Sequence, residues 1–170
     1  MVEIKKLTKE NLREAVRLVC SAFPPEGELE SADMELPASL NPVGYKDYLD
    51  KTQMTDLKYW VAISSARLVG VVGIYSYQYE KTNTAWLGWF VVDPGVRNGG
   101  IGKDLLHFAI EQARAIGKKS LKVYVVPDED GDFRSFYEKK GFKFVGSEPW
   151  EGPDEGLTKY YYELDLKGGF

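Results

Sequence analysis

The 170-residue chain has one cysteine and one histidine, Cys20 and His107. A single cysteine allows no internal disulfide, which suits a reducing compartment, and the chain is expected to be cytoplasmic. No Cys/His ligand spacing is present, so no metal site is expected. One histidine also leaves little for a Ser-His-Asp or Cys-His hydrolase, since His107 shares a polar helix face with Lys103, Glu111 and Arg114. Base is not in excess either. Lys and Arg number 22 against 26 Asp and Glu, a net charge of −4, so no nucleic-acid partner is expected. No apolar run is long enough to span a bilayer, and no membrane association is expected. Val2–Leu7 is too short for a signal-peptide core and leads into a polar helix start.

What is present is a globular balance: 44% of residues are hydrophobic and 28% charged. One core in one domain spanning residues 1–170 is the simplest reading. Val2–Leu7 alternates apolar and charged residues and reads as a strand. Thr8 then reads as the N-cap of a helix in which Leu12, Ala15, Val16, Val19 and Phe23 recur at helical spacing, stopped by Pro24-Pro25. Cys20 borders that apolar face as a small buried side chain, without a basic partner to activate it. Glu26–Asn41 reads as a long loop. It holds Glu26, Glu28, Glu30, Asp33 and Glu35, with no Lys or Arg between Arg17 and Lys46. A short helix at Tyr45–Lys51 and strands at Trp60–Ile63, Leu68–Tyr79 and Thr84–Val92 follow. In the second of these strands Tyr75, Tyr77 and Tyr79 share one face. Leu105, Leu106, Ala109, Ile110, Ala113 and Ile116 give a strongly amphipathic helix that stops at Gly117. Leu121–Val126 is a strand. Phe133, Phe136, Tyr137 and Lys140 outline a short helix closed by Gly141, and Phe142–Gly146 and Lys159–Leu166 are the last strands. The expected class is α+β.

The informative stretch is Val91-Val92-Asp93-Pro94-Gly95-Val96-Arg97-Asn98-Gly99-Gly100-Ile101-Gly102-Lys103. It joins a strand to the start of the amphipathic helix. Backbone N–H groups at a helix start have no partner within the helix, and the helix dipole adds positive potential there. Glycines let the chain turn tightly and let a phosphate reach the backbone. The turn is therefore expected to bind an anion, such as a pyrophosphate. It is not a P-loop: Arg97 stands where the first glycine belongs, and Asp104 replaces the Ser or Thr that would hold magnesium. It is not a dinucleotide fingerprint, because Leu105 stands where the third glycine belongs.

Arg97-x-x-Gly100-x-Gly102 resembles the Arg/Gln-x-x-Gly-x-Gly/Ala signature of the GNAT superfamily of N-acetyltransferases. Phe136-Tyr137-Glu138-Lys139-Lys140-Gly141-Phe142 is similar to that family's Phe-Tyr-Glu-Lys-x-Gly-Phe segment, one helix and one strand further on. The resemblance covers nearly the whole chain in its order of elements. It implies a single-domain GNAT fold with a mixed, mostly antiparallel sheet of about seven strands flanked by about four helices. It implies acetyl-CoA as cosubstrate without a metal. The pantetheine arm would run along Phe90, Val91 and Val92, and the pyrophosphate would rest on the N–H groups of Asn98, Gly99, Gly100, Ile101, Gly102 and Lys103. Arg97 would shape or charge the turn.

The implied reaction moves acetyl from a thioester to a primary amine, which must lose a proton before it attacks. A backbone N–H around Phe90–Val92 would hold the oxyanion. Tyr137 corresponds to the family tyrosine that protonates the departing sulfur; it also completes an apolar stripe with Phe133 and Phe136. Two departures from the family stand out. Trp86-Leu87-Gly88-Trp89-Phe90 carries no glutamate base, and Asp130 stands near the place of a family asparagine, where it would meet the pantetheine. Asp128, Glu129, Tyr124, a water relay or a neutral amine are the remaining routes for the acceptor's proton. The acceptor is expected to be a small-molecule or peptide amine, cationic if the acidic segment 24–41 borders it. A non-catalytic acyl-CoA-binding module is the alternative, and the chain is expected as a monomer or homodimer.

Overall fold

Eight strands make one sheet in the computed structural model, which describes residues 1–25, 31–129, 131–152 and 156–167. They are β1 Val2–Lys6, β2 Met54–Ser64, β3 Arg67–Tyr77, β4 Thr84–Leu87, β5 Val91–Val92, β6 Ser120–Val125, β7 Lys143–Pro149 and β8 Thr158–Asp165. The helices are α1 Leu12–Ala22, α2 Ala32–Leu40, α3 Lys46–Thr52, α4 Ile101–Ala115 and α5 Arg134–Lys139. Across the sheet the order is β1-β2-β3-β4-β6-β8-β7, with β5 paired to β3 beyond the end of β4. The β4–β6 pair is parallel and every other pair is antiparallel. The α+β class and the mixed, mostly antiparallel sheet follow the sequence reading.

Both faces of the sheet are used. In β6, Leu121, Val123 and Val125 are buried on one face, while Lys122 and Tyr124 occupy the other. The stripe Leu105, Leu106, Ala109, Ile110 and Ala113 of α4 packs on the first face, against Val72, Ile74, Ala85 and Leu121. α1 and α2 cover the opposite face at the β2–β3 end, where Ala15, Val19 and Leu36 meet Tyr59, Val61 and Val71. Further across that same face lie aromatic residues: Tyr75 and Trp86 are buried, and Tyr77, Tyr124 and Tyr161 pack beside them.

Three expectations are corrected. Residues 32–40 are helical rather than part of a long loop. Ala32, Glu35, Leu36 and Ala38 are buried at helical spacing, and Ser31 opens the helix by accepting from the N–H of Glu35 at 2.9 Å. The acidic run masks this period, and Pro37 inside α2 argues against a helix by propensity alone. Asn11, not Thr8, is the N-cap of α1; its Oδ1 accepts from the Thr8 N–H at 2.8 Å. Thr84–Val92 is two strands, not one. The last correction and α2 account for eight strands and five helices instead of about seven and four. Glu26, Glu28, Glu30 and Asp130 lie outside the described residues.

Leu105 has no solvent exposure at the centre of the α4 face. Leu105→Ala is expected to lower unfolding free energy by about 2–5 kcal/mol, because both transfer energy and packing are lost. Urea titration measures this.

Candidate active site

Between Leu87 and Val91 the chain advances four residues, while its partner β3 advances only three, from Ile74 to Val71. The surplus residue is a β-bulge. Gly88 N–H still donates to Gly73 O at 2.7 Å, and Asp93 N–H to Val69 O at 2.8 Å. Alternation turns Val91 toward β3 as well and leaves Phe90 and Val92 facing away from it. Trp89 N–H fits neither pattern. It donates to the Tyr59 hydroxyl at 3.0 Å. Tyr59 is paired with Gly73 across β2–β3, and its ring lies over both Gly73 and Gly88. A Cβ at those two glycines would stand 2.3 and 2.5 Å from Tyr59 atoms, so no other residue fits there without displacing the ring. The Tyr59 hydroxyl in turn donates to Glu35 of α2, whose carboxylate is buried. Burial first, and then the Glu35 charge, raise the Tyr59 pKa well above that of an ordinary phenol, so it stays a donor.

The bulge opens the sheet. β4 pairs with β6 from Thr84–Ser120 to Trp86–Lys122. Beyond that point the two strands part, and Val123–Val125 pair with β8 on their other side. A backbone-lined cleft results. On its β5 side, the Phe90 N–H makes no hydrogen bond among the described residues.

The glycine turn continues directly from this cleft. Asp93 Oδ1 accepts from Gly95 N–H at 2.8 Å and starts a 3-10 turn over Pro94–Val96. Arg97 donates through Nε to Val92 O at 3.2 Å, so its side chain braces the strand end while the residue stays exposed. Asn98 and Gly100 have φ of +68° and +84°. Gly100 is the N-cap of α4 and brings no side chain to the helix start. The ladder begins at Asp104 N–H, which donates to Gly100 O at 3.0 Å. Asn98, Gly99, Gly100 and Lys103 are exposed, Gly102 is half-buried, and Ile101 is buried beneath the turn. The helix-start donors thus open outward, as an anion requires.

Tyr137 lies across the cleft on α5. It is 8% exposed and packs edge-on against Phe136 and Phe142, with ring centroids 5.3 and 5.4 Å away. Phe136 meets Phe90 at 6.2 Å, so these rings link α5 to the bulge. No hydrogen bond to the Tyr137 hydroxyl exists among the described residues, and burial alone pushes its pKa well up. The structure thus gathers Phe90, Val92, the turn and Tyr137 around one cleft. Asp128 and Glu129 are exposed, and Tyr124 lies on the aromatic face. Lys103 and His107 of α4 share a shallow cavity of about 150 Å³ with Lys140, Leu106, Ile110 and Leu164. Sequence reasoning missed that grouping and missed Tyr59 and Glu35. Strand pairing and helix docking bring these residues together from distant positions. The only local hint at the bulge was Gly88 among aromatics.

Residues 26–142 match the Acetyltransferase (GNAT) family. The chain belongs to that family and is an enzyme of the N-acetyltransferase class. No curated protein matches it in sequence. Solved structures share the fold. An N-acetyltransferase from Staphylococcus aureus Mu50 is 20% identical, covers 98% of this chain and 99% of its own, and superposes with a TM-score of 0.73. An aminoglycoside 6'-N-acetyltransferase complexed with coenzyme A is 17% identical, with 99% of each chain covered and a TM-score of 0.76. The aminoglycoside 6'-N-acetyltransferase from Enterococcus faecium is 16% identical, with 99% of each chain covered and a TM-score of 0.73.

Two substitutions distinguish conformation from crowding at the turn. A Cβ at Gly100 meets nothing within 4 Å, but its φ is left-handed. Gly100→Val is expected to cost about 1–2 kcal/mol through backbone strain alone. At Gly102 a Cβ would make only ordinary contacts, at 3.7 Å and beyond. Gly102→Ala is expected to change stability by less than about 0.5 kcal/mol. Thermal unfolding of the two variants beside the wild type measures both.

Proposed function

We propose that residues 1–170 act as one domain that moves an acetyl group from acetyl-CoA to a primary amine, without a metal. The observation that carries this reading is the continuity of two donor arrays. The Phe90 N–H, which makes no hydrogen bond among the described residues, leads into the helix start at Asn98–Lys103, whose N-cap Gly100 has no side-chain cap. The residues fit the cosubstrate. Phe90 and Val92 offer backbone to a pantetheine arm added at the cleft edge, and Val91 supplies packing because its backbone serves β3. The N–H groups from Asn98 to Lys103 suit a pyrophosphate, with Arg97 adding charge. Lys103 and Lys140 would face its phosphorylated end. Asp130 is proposed to meet the pantetheine from the opposite loop.

Bound acetyl-CoA would supply an acetyl group activated as a thioester. The Phe90 N–H would hold the negative charge that develops on the carbonyl oxygen, and it has no other partner among the described residues. Tyr137 would keep a proton at Oη for the departing sulfur. Its raised pKa keeps that proton in place throughout the neutral range. The same shift makes it a weaker acid than a free phenol, so its first contribution would be a hydrogen bond to the charge that develops on sulfur. The strand before the turn has no carboxylate, so the acceptor loses its proton to Asp128, Glu129, Tyr124 or water, or arrives neutral.

The acceptor in this reading is cationic. Asp33 is exposed at the start of α2, next to Glu26, Glu28 and Glu30 in sequence. The aromatic face already holds ammonium groups: Lys159 Nζ lies 4.1, 5.2 and 5.8 Å from the rings of Tyr124, Tyr161 and Trp150, and Lys122 Nζ 5.6 Å from that of Trp86. Aminoglycosides, named in two of the similar structures, are amine-bearing sugars of this kind.

Calorimetry with EDTA present is expected to show coenzyme A binding, and absence of binding at millimolar cofactor would end this reading. Tyr137→Phe is expected to lower turnover about 10²–10⁴-fold while cofactor affinity changes much less. Unchanged turnover would make Tyr137 a packing residue, and binding without turnover on any amine would make the protein an acyl-CoA-binding module. For the acceptor, the specificity constant should fall as the Debye length shrinks from about 10 Å at 0.1 M salt to about 3 Å at 1 M. Replacing Glu26, Glu28 and Glu30 together by Gln should flatten that dependence. A triple variant that keeps the wild-type salt response would remove the acidic segment from substrate selection.

A further inference from the structure

The bulge at Trp89 has a buried polar support that serves no part of the reaction described so far. We propose that Tyr59 and Glu35 form a positioning pair that holds the Trp89–Phe90 peptide so that the Phe90 N–H faces the thioester. The inference rests on the acetyltransferase reading.

The surplus residue in the strand leaves the Trp89 N–H without a ladder partner. A side chain from the same sheet face can reach it. Tyr59 does so from β2, crossing the positions of Gly73 and Gly88, which lack the side chains that would stop it. Its oxygen accepts from Trp89 at 3.0 Å, and its proton goes to Glu35. A phenol oxygen that must both accept and donate has its direction set by where its proton goes. Glu35 therefore fixes the lone pair that meets Trp89. Glu35 itself is brought there by α2, with Ser31 and Leu36 buried around it. Once Trp89 is pinned to one side, the next peptide turns the other way. Phe90 N–H then points into the cleft instead of back to β3. An oxyanion donor must be aimed before the reaction, because re-aiming it during the reaction loses the benefit.

Tyr59 and Glu35 touch neither cosubstrate nor acceptor in this scheme. Their effect should reach the rate through the peptide alone. The assay is thiol release from acetyl-CoA with the most active member of a panel of polyamines, aminoglycosides and amino acids. Tyr59→Phe keeps the ring over the glycines and removes only the hydroxyl. It is expected to lower kcat about 10–100-fold, below the loss of a whole oxyanion donor, with the dissociation constant for coenzyme A changed by less than about 3-fold. Exchange of the Trp89 amide hydrogen should accelerate in the same variant. Glu35→Gln retains an oxygen that accepts from Tyr59. It should lower kcat less than Tyr59→Phe does and leave the acidic limb of the pH–rate profile in place. The double variant, Tyr59→Phe with Glu35→Gln, removes the hydroxyl and the buried carboxylate together, so its kcat should stay at the Tyr59→Phe level whatever its melting temperature.

Wild-type kcat in Tyr59→Phe, whatever its stability, would overturn the proposal and leave the pair as support for the fold only. Recovery of kcat along with melting temperature in the double variant would overturn it too. A Glu35→Gln variant that loses the acidic limb would make Glu35 a base and also overturn positioning. These outcomes are separate from failure of the acetyltransferase reading itself, which shows first as a wild type that binds no coenzyme A.

Discussion

One surplus residue between Leu87 and Val91 governs the geometry of the site. A strand in the middle of a sheet can keep both neighbours only while its residues stay in step with theirs. Adding a residue breaks the step. β5 resumes pairing with β3 at Val91–Val71, but the parallel pairing with β6 ends at Trp86–Lys122. The cleft is the consequence, and backbone donors that a regular sheet would satisfy remain available on its edge. The same strand then runs straight into the glycine turn, so the two donor arrays lie on one continuous stretch of backbone.

An opening of this kind in a core sheet is costly, and the surrounding structure offsets the cost locally. Tyr59 takes up the misdirected Trp89 N–H, and Glu35 takes up the Tyr59 proton. The ring fills the space over Gly73 and Gly88. On the other face, Phe90, Phe136, Tyr137 and Phe142 pack ring against ring, so α5 closes over the gap with apolar surface and one hydroxyl. That hydroxyl has the environment of a core residue, and in the proposed reaction the burial that raises its pKa would also keep bulk water from competing for the sulfur.

Much of this was legible in order but not in contact. Arg97, Gly100 and Gly102 gave the turn because left-handed backbone and an uncapped helix start are written in residue type, and Gly100 has the positive φ that its type allows. The stripe of α4 gave its buried face for the same kind of local reason. α2 stayed hidden because Pro37 and an acidic run suggest a loop, while burial of Ala32 and Leu36 against β2 and β3 outweighs both. The bulge stayed hidden because Thr84–Val92 reads as unbroken strand. Only the register against β3 exposes the extra residue.

The sequence by itself determined the class of fold, the glycine turn, the helix that presents it and the tyrosine segment that follows. Each depends on interactions within one element, where period and residue type carry the information. The tertiary structure decided where the sheet opens, which N–H of Phe90–Val92 lacks a partner among the described residues, and that Tyr59, 24 residues on from Glu35, donates to it beneath the bulge. It also decided that Lys140 joins Lys103 and His107 across two helices. Those facts depend on register and packing between distant segments, which no local pattern specifies, because a pairing partner is a property of two strands and not of one.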